Sequence, residues 1–137
     1  MKDEIQLDGI KFWVEEDIIF CKIKSNFFES YNKTDVQDIF YNTISILSPG
    51  KYMPFLIDLK GVSCFNAIKL FKNLAFNGEV RRLILSQIFL VRSMGVKVIL
   101  LFFSLIKKPF FYNKICSNRE FAIKFCIKDN MVFYPSK

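Results

Sequence analysis

The residues best suited to chemistry in this chain are a carboxylate and a thiol that flank one short turn. An apolar run ends near Asp58, Ser63 and Cys64 follow, and a helical pattern begins beyond them. In open α/β sheets ligands bind where strands end, and the start of a helix favours the thiolate form of cysteine. The spacing therefore allows two roles for Cys64: a nucleophilic thiol, or a buried and inert cysteine in a strand-to-helix turn.

The groups that would assist such a thiol are scarce. The chain has no histidine, and residues 61–137 contain only three acids, Glu79, Glu120 and Asp129. General acid–base catalysis at neutral pH usually relies on histidine or paired carboxylates, and the isolated glycines form no phosphate-binding loop. We therefore expect no enzymatic activity, no catalytic residue and no cofactor, and we expect Asp58 to cap its turn.

The cysteines predict no metal site. They lack the CxxC spacing of zinc ligands and have apolar neighbours, where reduced thiols pack as small core residues. With no signal peptide at the start of the chain, this indicates a cytoplasmic protein. The apolar stretch 83–106 is interrupted by Arg92 and Lys97, so we expect no transmembrane segment. The cysteines are Cys21, Cys64, Cys116 and Cys126.

Length and composition indicate one globular domain spanning residues 1–137. The chain has 137 residues, of which 52% are hydrophobic and 17% aromatic. That is enough to bury a core without disulfides or metal. We expect residues 1–7 to fray, and residues 131–137 either to fray or to add an edge strand.

Two elements must position the turn at Cys64. The run Phe55–Leu59 is apolar on both alternating faces, which is typical of a strand in the middle of a parallel sheet. Gly61 supplies the conformational freedom for a sharp turn. Asn66 is the predicted N-cap of the following helix. The apolar face of that helix contains Ile68, Phe71, Leu74 and Ala75.

The run LIDLKGVSCFNAIKL resembles the signature segment of STAS domains, the fold of the sporulation anti-anti-sigma factors and of SpoIIAA-like proteins. In that family a strand ending in Asp-Leu-x-Gly-Val leads through a short loop to an Asp-Ser pair, whose serine a partner kinase phosphorylates. Asn66 occupies the place of the family's Asp, and Ala67 that of its phosphorylated Ser. The positions that match are Asp58, Leu59, Gly61 and Val62.

This resemblance implies a regulatory function that depends on binding another protein. Because Ala67 cannot accept a phosphoryl group, we expect any regulation there to be independent of phosphorylation. Our leading hypothesis is a non-catalytic module that resembles the anti-sigma-factor antagonists and lacks their phospho-acceptor. The recognition face that the resemblance implies comprises Ser63, Cys64, Asn66, Ala67 and Lys69.

The rest of the chain predicts a single α/β, STAS-like domain with the order β-β-α-β-α-β-α-β-α. Strands at 9–14 and 18–24 alternate apolar and polar residues and form an antiparallel hairpin, which precedes parallel strands at 55–59, 87–91 and 111–116. This order is also that of STAS-like domains. The closing segment SNREFAIKFC is similar to the last helix of small bacterial SpoIIAA-like proteins.

Capping boxes mark the first and last helices. Thr34 with Gln37 begins the first helix, and Ser117 with Glu120 begins the last. The third helix, from Ser93 to about residue 106, is apolar on almost every face. Such a helix is either covered within its own chain or exposes a patch for a homodimer or another partner, and the sequence leaves both alternatives open.

Positive charge is concentrated in the second half of the chain. Residues 1–60 carry seven lysines and ten acids, whereas residues 61–137 carry thirteen lysines or arginines and three acids. These cations either form solvated helix faces or attract an anionic partner. The alternative function is therefore a basic surface for nucleic acid or anionic lipid, built on Arg81, Arg82, Arg92, Lys107, Lys108 and Lys114.

Overall fold

The chain forms a mixed six-stranded sheet with helices on both faces. The computed structural model describes residues 4–75, 78–106 and 113–134. The strands lie side by side in sequence order, with β1 to β3 antiparallel and β3 to β6 parallel. They are β1 Glu4–Leu7, β2 Ile10–Glu15, β3 Ile18–Ile23, β4 Phe55–Asp58, β5 Gln87–Leu90 and β6 Asn113–Cys116.

Long helices connect the parallel strands and cover one face of the sheet. Helices α2, α3 and α5, which connect the parallel strands, pack on one face of the sheet, and α6 packs on the opposite face. The three connections between parallel strands therefore have the same hand. Two single-turn helices, α1 and α4, complete the chain. The helices are α1 Phe27–Ser30, α2 Lys33–Leu47, α3 Cys64–Ala75, α4 Gly78–Arg81, α5 Met94–Ile106 and α6 Arg119–Phe133.

The larger core lies between the sheet and α2, α3 and α5. Residues Phe12, Phe40 and Phe55 come from two strands and one helix, and each is fully buried. The Phe12 ring meets the Phe40 ring edge-on at 5.3 Å and lies parallel to the Phe55 ring at 6.4 Å. Phe71 of α3 makes a similar edge contact with Phe89 of β5 at 4.8 Å. These aromatic contacts fix the helices against the sheet.

The smaller core lies between the sheet and α6. Ala122 and Cys126 of α6 are fully buried. They pack on side chains from β3 to β6: Ile18, Phe20, Leu56, Ile88, Leu90 and Cys116. Strand β4 thus buries side chains on both faces, which confirms the central strand predicted from its unbroken apolar run.

The N-terminal hairpin has the predicted pairing. Strands β2 and β3 join through a two-residue turn in which Glu16 and Asp17 have φ values of 54° and 61°, the left-handed conformation that suits a hairpin turn. The predicted inward face of β3 is confirmed, because Ile19, Cys21 and Ile23 are all buried.

The termini and the element order differ from the prediction. Residues 4–7, which we expected to fray, form β1 and pair with β2 in the register Glu4↔Trp13. Residues 131–133 neither fray nor form a strand, because α6 continues to Phe133. The observed order therefore has one more strand and two more helical turns than predicted, so the coarse α/β architecture is confirmed and its order is not.

The starts of α2 and α6 also differ from the predicted caps. Helix α2 is capped by Asn32, whose side chain accepts from the Asp35 backbone N–H at 2.9 Å, rather than by Thr34. Helix α6 is capped by Asn118, which accepts from the Phe121 backbone N–H at 3.1 Å, rather than by Ser117. In both cases a second capping residue lies within two positions of the predicted one. The path of the chain out of the preceding segment decides between such neighbours.

Candidate functional site

The turn between β4 and α3 is built by side chains that bond to the backbone. The Asp58 carboxylate accepts from the Lys60 backbone N–H at 2.9 Å, as expected for a residue that caps the turn. The predicted N-cap Asn66 is wrong, because α3 begins at Cys64 and the Ser63 hydroxyl accepts from the Asn66 backbone N–H at 3.3 Å. Gly61 does not adopt a positive φ, so the turn does not need its left-handed freedom.

The implied recognition face is only partly at the surface. Ser63 and Lys69 are exposed, and Cys64 and Asn66 are half-buried. Ala67 is 1% exposed and packs in the larger core. A side chain at position 67 therefore points into the molecule, while Ser63 and Lys69 remain accessible to a partner.

An exposed phenylalanine, which was not among the predicted site residues, lies next to this face. Phe65 is 70% exposed, and the Lys69 ammonium lies 5.6 Å from the centre of its ring. Positions 65, 69 and 72 recur at helical spacing, so Phe65 shares a stripe with Lys69 and Lys72. Because this stripe lies outside the buried face of α3, the helical spacing of these three positions could have indicated that Phe65 is exposed.

A row of exposed apolar side chains runs along α5, and we call it the α5 stripe. Its members recur every three or four residues on the outer face of the helix. Their exposed fractions are 59% for Met94, 59% for Val98, 43% for Leu101, 58% for Phe102 and 82% for Leu105. Only the opposite face of α5, with Val96 and Leu100, is buried against the sheet. The described part of the chain therefore does not cover the outer face of this helix.

Positive charge borders the α5 stripe. Helix α3 packs beside α5, and the Lys72 ammonium lies 4.2 Å from the centre of the Phe103 ring. Lys69, Lys72 and Lys97 are the charged residues of the two helices, and neither helix contains an acid. The charged groups that α3 and α5 contribute beside the apolar face are thus all ammonium groups.

The candidate catalytic residues make no catalytic constellation within the described residues. The carboxylate of Asp58 bonds to its own turn. Cys64 is half-buried at the start of α3. No group of three or more cysteine, aspartate or glutamate side chains comes together to hold a metal ion in the ranges that the structure describes.

The other thiols are buried and protonated. Burial, followed by the charge of Asp58, raises the pKa of Cys21 well above its usual value. Burial, followed by the charge of Asp129, raises the pKa of Cys126 to about 12. Burial also raises the pKa of Cys116, and nearby lysines offset part of that rise. Such thiols are poor nucleophiles at neutral pH.

The predicted anion-binding surface is divided between the two ends of the sheet. Arg81 and Arg82 precede β5, and Arg92 follows it, so they lie at opposite ends of that strand. Lys114 lies within β6, and its ammonium is 5.4 Å from the centre of the Phe125 ring. Lys107 and Lys108 lie outside the described residues. The residues that the structure does describe therefore do not form one cluster.

Comparison with known proteins identified no similar protein. No protein-family model matches the chain, and comparisons with curated proteins and with solved structures gave no significant match. Across the ranges that the structure describes, no helix combines the length and the apolar character needed to cross a membrane.

Proposed function

We propose that this protein is a non-catalytic binding module that docks another protein on the α5 stripe. The observation that carries the proposal is the exposure of five apolar side chains on one helix face, up to 82% for Leu105. A contiguous apolar patch of this kind, rimmed by polar groups, is typical of an interaction surface. Side chains repeating at three and four residues also match the anchor spacing of helix-in-groove recognition.

The charges around the stripe select the kind of partner. A second copy of the chain would bring Lys69, Lys72 and Lys97 of one copy towards the same lysines of the other. Like charges across an interface oppose association, whereas an acidic rim on the partner would complement them. The partner is therefore a different protein, with an apolar helix face flanked by aspartate or glutamate.

The resemblance to STAS domains supports a regulatory form of this function. In that family partner binding involves the surface at the start of the helix that corresponds to α3. Ser63, Phe65 and Lys69 lie there, on the same side of the sheet as the α5 stripe. With Ala67 buried at the acceptor position, partner binding is independent of phosphorylation at that position.

Affinity capture with a matched pair of variants tests the proposal. The bait is the wild-type protein, the double variant Val98→Glu with Leu105→Glu, or the control Phe121→Glu with Met131→Glu. The control changes two apolar side chains of α6 that are 64% and 66% exposed, so it adds the same charge at a similar exposure. All captures follow nuclease treatment of the lysate.

The expected result is one stoichiometric protein that wild type and control retain, that the α5 variant loses, and that raised salt releases. Equal capture by all three baits would contradict docking on α5. If the wild type formed a homodimer in solution, the occupant of the α5 stripe would be a second copy of the chain and not a different protein. Binding of the wild type to anionic vesicles or to nucleic acid, with no protein partner, would support the basic-surface alternative instead.

A further inference from the structure

The sheet face that α6 covers carries a cleft which the proposed docking surface does not use. The cleft has a volume of about 720 Å³ and opens where β5 begins, and its size lies in the range of small-molecule sites. One wall is the segment 84–86 and the other is the C-terminal half of α6. The α5 stripe lies on the opposite face of the sheet.

The α6 wall of the cleft is fixed by two long-range hydrogen bonds. The Asn130 side-chain amide donates to the backbone carbonyl of Asp17 at 3.1 Å. The Tyr134 hydroxyl donates to the backbone carbonyl of Tyr52 at 2.9 Å. Asn130 is 7% exposed, so its bond is shielded from water. The cleft is therefore formed before any ligand arrives, which lowers the entropy cost of binding.

Apolar and cationic groups both line this cleft. Phe125, Val132 and Phe133 provide the apolar part. Arg81 and Lys128 provide cations, and Asp129 is the acid among the described lining residues. Cations therefore outnumber acids around the cleft.

Ser86 provides a polar group that the folded chain leaves unused. Ser86 lines the cleft and is 8% exposed, and its hydroxyl has no hydrogen-bond partner among the described residues. A buried hydroxyl without a hydrogen-bond partner destabilises the folded state. A ligand in the cleft would bond to this hydroxyl after rotation of the Ser86 side chain, because its oxygen is shielded in the free protein.

We infer that the cleft binds a small amphiphile with an anionic head, a phosphate or carboxylate joined to an apolar group. Arg81 and Lys128 bind the head through charge-assisted hydrogen bonds, and the apolar group packs against Phe125 and Phe133. The inference assigns Arg81, a member of the predicted basic surface, to a small ligand rather than to a polymer. It does not depend on the proposed docking surface.

NMR titration with phenyl phosphate tests this site. Saturable shifts are expected at the backbone amides of Ser86, Lys128 and Val132, with weaker binding of inorganic phosphate and of benzyl alcohol. Lys128→Gln should weaken phenyl phosphate binding about tenfold. The matched control is Lys124→Gln, an exposed lysine one turn earlier on α6 that does not line the cleft, and it should leave the affinity unchanged.

The natural source of the ligand is distinguished by a second arm of the experiment. If the head belongs to a membrane lipid, the wild type should co-sediment with vesicles that contain phosphatidic acid, and Lys128→Gln should not. If the ligand is a soluble phosphate ester, neither protein should co-sediment with these vesicles. Absence of saturable shifts, equal binding of inorganic phosphate and phenyl phosphate, or equal affinity in Lys128→Gln and Lys124→Gln would overturn the inference.

Discussion

At the scale of single residues, Gly9 leaves less room for a side chain than Gly50, Gly61 or Gly95. Its φ is +76°, and a Cβ there would lie 2.6 Å from the backbone nitrogen and 2.7 Å from the Cα of Phe27. Gly50 has a similar φ of +71° but no atom within 4 Å of its Cβ position. Substituting alanine at Gly50 therefore introduces conformational strain alone, whereas the same substitution at Gly9 also introduces steric overlap.

We predict that Gly9→Ala lowers the free energy of unfolding by clearly more than Gly50→Ala. The left-handed conformation alone costs an alanine about 1–2 kcal/mol, and Gly50→Ala should show only this loss. Gly9→Ala must in addition displace α1 from the β1–β2 turn. Urea denaturation of both variants measures the difference, and equal losses would show that the close approach to Phe27 does not exist.

The buried thiol of Cys126 makes stability depend on pH in the alkaline range. Its pKa rises from 9.0 to about 12 on folding, so between these values the folded protein keeps a proton that the unfolded chain releases. The contribution of this thiol is complete below pH 9. The free energy of unfolding should fall above that pH by up to about 1.4 kcal/mol per pH unit.

Cys126→Ala should make this alkaline decline shallower without removing it, because Cys21 and Cys116 also have raised pKa values. The cavity lowers stability at every pH. Cys64→Ala is the control, because Cys64 is half-buried at the surface whereas Cys126 is fully buried. Denaturation midpoints measured from pH 7 to about pH 11 give the slope. A slope that is the same in Cys126→Ala and wild type would show that Cys126 does not contribute to the decline.

At the scale of elements, α5 determines the proposed function because one of its faces is buried and the other is exposed. Leu100 is 0% exposed and Leu101 is 43% exposed. Leu100→Ala should cost about 2–5 kcal/mol of unfolding free energy, as buried leucines do, and Leu101→Ala about 1 kcal/mol or less. Thermal or urea denaturation compares the two. A larger loss in Leu101→Ala would mean that the helix presents a different face to solvent.

The periodicity of apolar residues predicted the long helices and strands of this chain correctly, but the predicted capping residues were wrong. The apolar run of β4 and the alternation of β3 identified strands correctly, because both depend on which side chains are buried. The caps at Ser63, Asn32 and Asn118 were each missed by a few residues. Several residues near each helix start can cap equally well, and tertiary packing chooses among them.

The candidate site was only partly predictable for a related reason. An all-round apolar α5 indicated either coverage or exposure, and only the packed structure shows that one face is exposed. Phe65 is exposed because it lies outside the apolar face of α3, and the predicted apolar face of that helix already left it out. The cleft on the α6 side brings residue 86 next to residues 125 to 133, and no local pattern specifies such a long-range approach.

At the scale of the whole molecule, the sheet separates two surfaces with different chemistry. The α5 stripe lies on the face covered by three helices, and the cleft lies on the face covered by α6. We predict that Val98→Glu with Leu105→Glu abolishes partner capture but leaves phenyl phosphate affinity unchanged, because the substituted side chains do not contact the cleft. NMR titration of this variant checks the independence, and weakened phosphate binding would show that the two faces are coupled.

The most direct test of protein docking on α5 is photo-crosslinking in the native cell. A photoreactive phenylalanine analogue replaces Phe102 on the α5 stripe, or Phe121 on α6 as a control with a similar exposure, 58% against 64%. The account predicts that position 102 crosslinks to one other protein and that position 121 does not. Crosslinks from position 102 only to a second copy of the chain, only to lipid or nucleic acid, or to the same proteins as position 121, would contradict it.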